Sequence, residues 1–143
     1  MSNPTLTIRV TAPDGITPKP KGSLRHVGNG RLVEQVAGSK PWRATIALAA
    51  RQAINASTWR TATGAVRVQA VVDLPRPKTN RDPLPIRRSS GDSDKHSRNI
   101  LDALSDAGVY VDDSQVTDLR IVKRYADGAP VGASINVTCL EQS

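Results

Sequence analysis

The chain of 143 residues has no phenylalanine, and its only tryptophans and tyrosines are Trp42, Trp59, Tyr110 and Tyr125. Its core must therefore be packed from Val, Ile, Leu and Ala, and a core so thin would gain from association with a second copy. Cysteine is nearly as scarce. A single Cys139 excludes an internal disulfide and argues against a thiolate zinc site, which suits a reducing, cytoplasmic location. Nowhere do about 18 apolar residues run together, and Met1 to Val10 lacks a long apolar run behind a basic stretch, so neither membrane insertion nor export is expected. Acidic residues are rare in the first two thirds. Residues 1–91 hold fifteen Lys and Arg against four Asp and Glu, a net of +11, whereas residues 92–143 hold five against nine, a net of −4. A basic platform attracts a phosphate backbone through counterion release, and concentrated carboxylates repel one unless a divalent cation neutralises them. A solvated surface whose sign varies along the chain accounts for the same numbers.

What is present reads as one domain over residues 1–143. Leu6, Ile8 and Val10 alternate with polar neighbours and predict a strand ending at Pro13-Asp14-Gly15. Thr17 to Ser23 is a basic, proline-interrupted loop. Leu24–Val27 and Arg31–Val36 flank Gly28-Asn29-Gly30 and predict a hairpin. Ser39 as N-cap and Pro41 in the first turn open a helix to about Ala56, with Trp42, Ile46, Ala49, Ala50, Ala53 and Ile54 on one stripe. Ala65–Leu74 alternates as a strand that Pro75 ends, and Asp94–Ala107 predicts a second helix stopped by Gly108. Val116–Tyr125 and Ala133–Leu140 predict two closing strands, expected to pair as a hairpin. Between the first strand-helix half and the second helix, residues 75–91 carry four prolines and five Lys or Arg with few apolar anchors. So long and basic a connection suggests contact with a polyanion, a floppy linker being the alternative, and its length and charge suggest that it orders only on DNA.

The carboxylates carry the chemistry. Asp92 and Asp94 precede and open the second helix on one side of an extended lead-in. A helix of about 14 residues advances roughly 21 Å, and six extended residues can return about 20 Å, which predicts that Asp112-Asp113 comes back beside Asp92 and Asp94. Oxygen ligands of this kind suit a hard cation such as Mg²⁺, completed by water and substrate phosphate. Asp94, Arg98 and Asp102 recur at intervals of four on one helix face, where Arg98 can stabilise charge on a phosphate and Asp102 can orient Arg98. The plain alternatives stay open: helix-capping aspartates, a surface ion pair and turn residues at Asp112-Asp113. His26 and His96 are assigned no catalytic role, His96 being expected to face DNA or solvent. Trp42 and Trp59 are read as core anchors.

The strings Asp92-Ser93-Asp94-Lys95, Asn99-Ile100-Leu101-Asp102-Ala103-Leu104, Val109 to Val116 and Ile121-Val122-Lys123-Arg124-Tyr125 together resemble the core signature of the RusA family of Holliday-junction resolvases. Pro18 to Ser23 and Lys40-Pro41-Trp42-Arg43 resemble the N-terminal pattern of its phage-type members. The resemblance implies an α+β fold, with a mixed sheet of about four to five strands and two main helices, in a homodimer acting on four-way junction DNA. It implies a Mg²⁺ site, with Mn²⁺ as a possible substitute, at Asp92, Asp94 and Asp113. It places the assisting basic residue at Arg98, where the best-studied pattern has lysine. A guanidinium is a poor proton donor, so Arg98 suits electrostatic or phosphate-positioning work. Lys95 stands where asparagine often occurs in the family. Lys19, Lys21, Arg25, Arg76, Lys78, Arg81, Arg87, Arg88, Lys95 and Lys123 would grip the DNA backbone, with Lys123 equally able to decorate an exposed face. The implied activity is symmetric paired phosphodiester cleavage, with no small-molecule substrate and no membrane partner. The rival readings are a non-catalytic junction-binding protein of the same fold and a metal-dependent nuclease for other branched DNA.

Overall fold

In a computed structural model the described residues are 3–22, 24–26, 28, 32–34 and 37–140. The strands are β1 (Thr5–Thr11), β2 (Leu24–His26), β3 (Leu32–Glu34), β4 (Val66–Leu74), β5 (Val116–Tyr125) and β6 (Gly132–Cys139). The helices are α1 (Ser39–Asn55), between β3 and β4, and α2 (Ser93–Asp106), between β4 and β5. β1, β6, β4 and β5 form one mixed sheet in that order, and β2 pairs with β3 in a small antiparallel hairpin. The predicted α+β architecture is the one observed. Asn29 and Gly30, in the expected connection of that hairpin, lie outside the described residues.

Alternation decides which way each strand faces. Leu6, Ile8 and Val10 of β1, Val66, Val68, Ala70 and Val72 of β4, and Ala133, Ile135 and Val137 of β6 all point into the core. There they meet Trp42, Ile46 and Ala50 of α1 and Ile100, Ala103 and Leu104 of α2. α1 packs on β1 and α2, and α2 packs on β5, so both helices cover the same face. Trp59 is also buried, donating through Nε1 to the Val109 carbonyl at 3.0 Å. On the opposite face Asp73 is only 2% exposed because Arg9 of β1 and Arg124 of β5 close over it, at 3.3 and 2.6 Å. Arg9 also donates to Ser134 of β6, so one polar network ties all four strands.

Two expectations are corrected. The final strands do not form a hairpin: α2 is a crossover that returns β5 parallel to β4, and β6 then enters on the other side of β4. The Ala126 amide donates to the Leu74 carbonyl as the chain passes over the end of β4. α1 is capped by Gly38, at φ +82°, and Ser39 is its first residue, buried against the Arg43 and Asn99 side chains. Residues 75–91 are held by side-chain contacts that their sequence does not advertise. Polar staples replace the missing apolar anchors: the Arg76 guanidinium binds both Asp127 oxygens at 2.9 Å and the carbonyls of Asn80 and Asp82, and lies 4.1 Å from the Tyr125 ring centre. Buried Asn80 donates to the Tyr125 hydroxyl at 2.8 Å. No described helix is long and apolar enough to cross a membrane.

Candidate active site

α2 is amphipathic, and its buried side carries His96, Ser97 and Asn99 beside the apolar Ile100, Ala103 and Leu104. Polar groups so placed cost free energy unless bonded, and here their bonds fix the surroundings of the helix N-terminus. Asn99 donates to the Lys19 and Ser39 carbonyls and accepts from Arg43 at 2.6 Å, tying α2 to α1 and to the loop after β1. The Lys21 amide donates to the Lys95 carbonyl, laying that basic loop along the first turn of α2.

Asp92 is the N-cap of α2, with extended backbone at φ −76° and ψ 142°. An N-cap aspartate ordinarily spends its carboxylate on the amides of the first turn, but Asp92 makes no such bond. Its exposed carboxylate remains available, as does that of Asp94 in the first turn. Lys95 and Arg98 follow, the first half-buried and the second exposed.

Asp112 and Asp113 have different surroundings. Asp112 caps a 3-10 turn over Asp113–Gln115, accepting from the Ser114 amide, and those bonds hold its carboxyl below the usual range. Gln115 fixes the turn by accepting from the Val111 and Asp112 amides and donating to the Ala62 and Gly64 carbonyls. Asp113 is left unspent by the turn. Burial first, then the charge and hydrogen bond of Asp102 and the charge of Asp112, raise its pKa, with Lys21 opposing. Asp102 itself takes the Lys21 ammonium at 2.7 Å. The expectation that Asp102 orients Arg98 is therefore replaced by a Lys21–Asp102 pair. Tyr110, beneath these carboxylates, is raised by burial and then by Asp113, Asp102 and Asp112, and its hydroxyl donates to the Leu101 carbonyl.

The structure thus places Asp92 and Asp94 at the start of α2 and brings Asp113 to Asp102, two turns or roughly 12 Å further along the helix. The return from α2 is less than fully extended, because the chain turns at Ala107-Gly108 and Tyr110 bridges Ala62. Among the described residues no three His, Cys, Asp or Glu side chains stand close enough to hold a metal ion by themselves. The donors are carboxylate oxygens, which fit a hard divalent cation that takes its remaining ligands from water and phosphate.

His96, expected to face DNA or solvent, is 1% exposed. Its Nε2–H donates to the Ser90 carbonyl at 2.7 Å, and burial, reinforced by the nearby Lys123 charge, holds the ring below its ordinary pKa. Lys123 points into the same place from β5, its ammonium donating to the Ser90 hydroxyl at 2.8 Å and the Gly91 carbonyl at 2.7 Å. Periodicity holds a signal for this: Lys123 shares the strand phase of Ile121 and Tyr125, the side that faces the helices. Of the other basic residues, Lys19 lies near His96, and Arg25 falls on β2 opposite Val33. Lys78, Arg81 and Arg88 are exposed on the 75–91 loop, where Arg87 pairs with Asp82 and Arg76 is the staple described above.

The mixed sheet is crossed by one helix, with carboxylates at both ends of that crossover and Lys21, Lys95 and Lys123 around them. A family model described as Endodeoxyribonuclease RusA matches residues 13–138, and the chain belongs to that family. It is a family of nucleases that resolve Holliday junctions. No curated protein matches the sequence significantly.

Proposed function

We propose that this chain is a Mg²⁺-dependent endonuclease that resolves four-way junctions by paired, symmetric phosphodiester cleavage as a homodimer. The observation that carries this reading is the family match over residues 13–138, which spans the Asp92, Asp94 and Asp113 elements. Asp92 and Asp94, unspent by helix capping, would hold the metal with water and a DNA phosphate as further ligands, Mn²⁺ would serve in its place, and Asp113, set beside Asp102 about two turns along α2, would have to swing toward them to join. When bound, the metal supplies Lewis-acid stabilisation of the attacked phosphate and lowers the pKa of a coordinated water. Arg98, exposed one turn beyond Asp94, holds a phosphate oxygen and offsets its charge. Lys19, Lys21, Lys95 and the exposed cations of residues 78–88 bind the backbone without reading bases. Two-fold symmetry would present two such sites to opposed strands.

The test is cleavage of a labelled four-way junction and a linear duplex of the same sequence, with and without Mg²⁺. Asp92→Asn and Asp113→Asn are expected to abolish cleavage while junction binding persists. Equal cutting of both substrates would defeat the resolvase reading, and full activity in either variant would remove that residue from the site.

A further inference from the structure

Two consecutive carbonyls immediately before Asp92 each receive a donor from a different element, one buried and one half-buried. Ser90 O takes His96 Nε2–H from α2, and Gly91 O takes the Lys123 ammonium from β5. Lys123 also holds the Ser90 side chain, whose hydroxyl is in turn turned toward the Arg87 and Pro85 carbonyls. Between these bonds the backbone passes through a slot. Gly91 sits at φ +81° and ψ 152°, and a Cβ there would lie 2.7 Å from Pro20 Cγ and 2.8 Å from His96 Nε2. The fold gives up ordinary stability to build this. A lysine occupies the helix-facing phase of a strand, an imidazole Nδ1 is buried without a partner, and a glycine replaces any residue that would be easier to order. A simple helix start needs none of these devices, since Asp92 is a side-chain cap in waiting and does not use its carboxylate that way.

We propose that Lys123, aided by His96, is a positioning residue: it clamps Ser90-Gly91 so that the Asp92 carboxylate is held off its own helix and presented to the metal. Two of the three N–H donors of Lys123 are committed inside the protein, so its role is distinct from the backbone-gripping one expected for it from sequence. The inference rests on the metal-dependent reading above, and it is read out without DNA as well as with it.

The experiment compares the full chain with Lys123→Met, Lys123→Arg and the milder Ser90→Ala. Mn²⁺ binding is followed by calorimetry, amide exchange at Gly91 to Ser93 by NMR, and junction cleavage as separate kcat and KM. Outer partners of metal ligands typically alter metal affinity about 10–100-fold, so Lys123→Met should weaken Mn²⁺ by at least about tenfold. Its Gly91 to Ser93 amides should exchange faster, and kcat should fall with KM and junction affinity little changed. Lys123→Arg should recover part of each loss, and Ser90→Ala, which removes one bond of the clamp, should lie between. If Lys123→Met fails to fold, Ser90→Ala and Lys123→Arg decide by the same readouts. Wild-type Mn²⁺ affinity and exchange in the folded variants would overturn the proposal. So would weaker junction binding with a smaller salt slope and unchanged kcat, which marks Lys123 as a phosphate contact. A wild-type chain that binds Mn²⁺ through the clamp yet cuts no junction would defeat the proposed function and leave the clamp standing.

Discussion

Asp73 and Gly91 show two ways a single residue can serve the whole fold. Asp73 carries a carboxylate almost fully removed from water on the open face of the sheet, and it is tolerable only because Arg9 and Arg124 approach from the neighbouring strands. The two guanidiniums are themselves 40% and 55% exposed, so an unpaired arginine can return to water while an unpaired carboxylate cannot. Hydrogen bonds to charged groups contribute about 1.5–3 kcal/mol, and Asp73→Asn should lower unfolding free energy by about that amount in urea, with Arg9→Gln costing less. An unchanged midpoint for Asp73→Asn would mean that the network contributes nothing. Gly91 acts through conformation. Its φ and ψ fall in a region essentially reserved for glycine, where other residues cost about 1–3 kcal/mol, and the Pro20 and His96 contacts add to that cost. Gly91→Ala should therefore destabilise by at least about 1 kcal/mol in the same assay, whereas Gly15→Ala, at a similar φ with nothing nearby, should suffer the backbone cost alone.

At the scale of elements, what the sequence revealed follows from the range of the forces involved. β1, β4 and α2 were legible because each buries one face, and that writes a period of two or 3.6 into the residues; their observed bounds differ by a residue or two from those expected. Pairing was not. Nothing local to Val116–Tyr125 says that it will join β4 in parallel, because that choice is made by the α2 crossover. The carboxylate positions were legible as motif, yet their partners were hidden, since Lys21 reaches Asp102 across 81 residues and Gln115 reaches back to Ala62. The anchoring of the 75–91 loop was hidden for a related reason: apolar anchors are visible in sequence, whereas Arg76 works through backbone carbonyls and Asp127. This makes a prediction about the loop. Arg76→Ala should expose residues 76–88 to a broad-specificity protease several times faster than wild type. The Asp127 carboxyl, held low chiefly by its bond to Arg76, should titrate at higher pH in the variant, approaching the ordinary value from below. Unaltered proteolysis would assign the order of the loop to Asn80 and Ser90 instead.

Across the whole molecule, charge is arranged so that the acidic helix end is surrounded by cations of unequal freedom. Lys21 is engaged by Asp102, Lys123 by Ser90 and Gly91, Arg76 by Asp127 and Arg87 by Asp82, while Arg88 lies exposed in the 3-10 turn three residues before the clamped glycine. A cation already paired in the free protein gains less from a phosphate, because it must give up one anion to take another. Each phosphate neutralised on duplex DNA contributes about 0.9 to the slope of log K against log salt. Arg88→Gln should thus reduce that slope for junction binding by close to about 0.9. Arg87→Gln should reduce it by clearly less, because Arg87 is already paired with Asp82 and has less uncompensated charge to give to a phosphate. The check is junction affinity across a salt series for both variants. Equal slopes for the two would mean that the Arg87–Asp82 pair opens freely on binding, and no change for Arg88 would move the DNA path off this turn, toward Lys19 and Lys95.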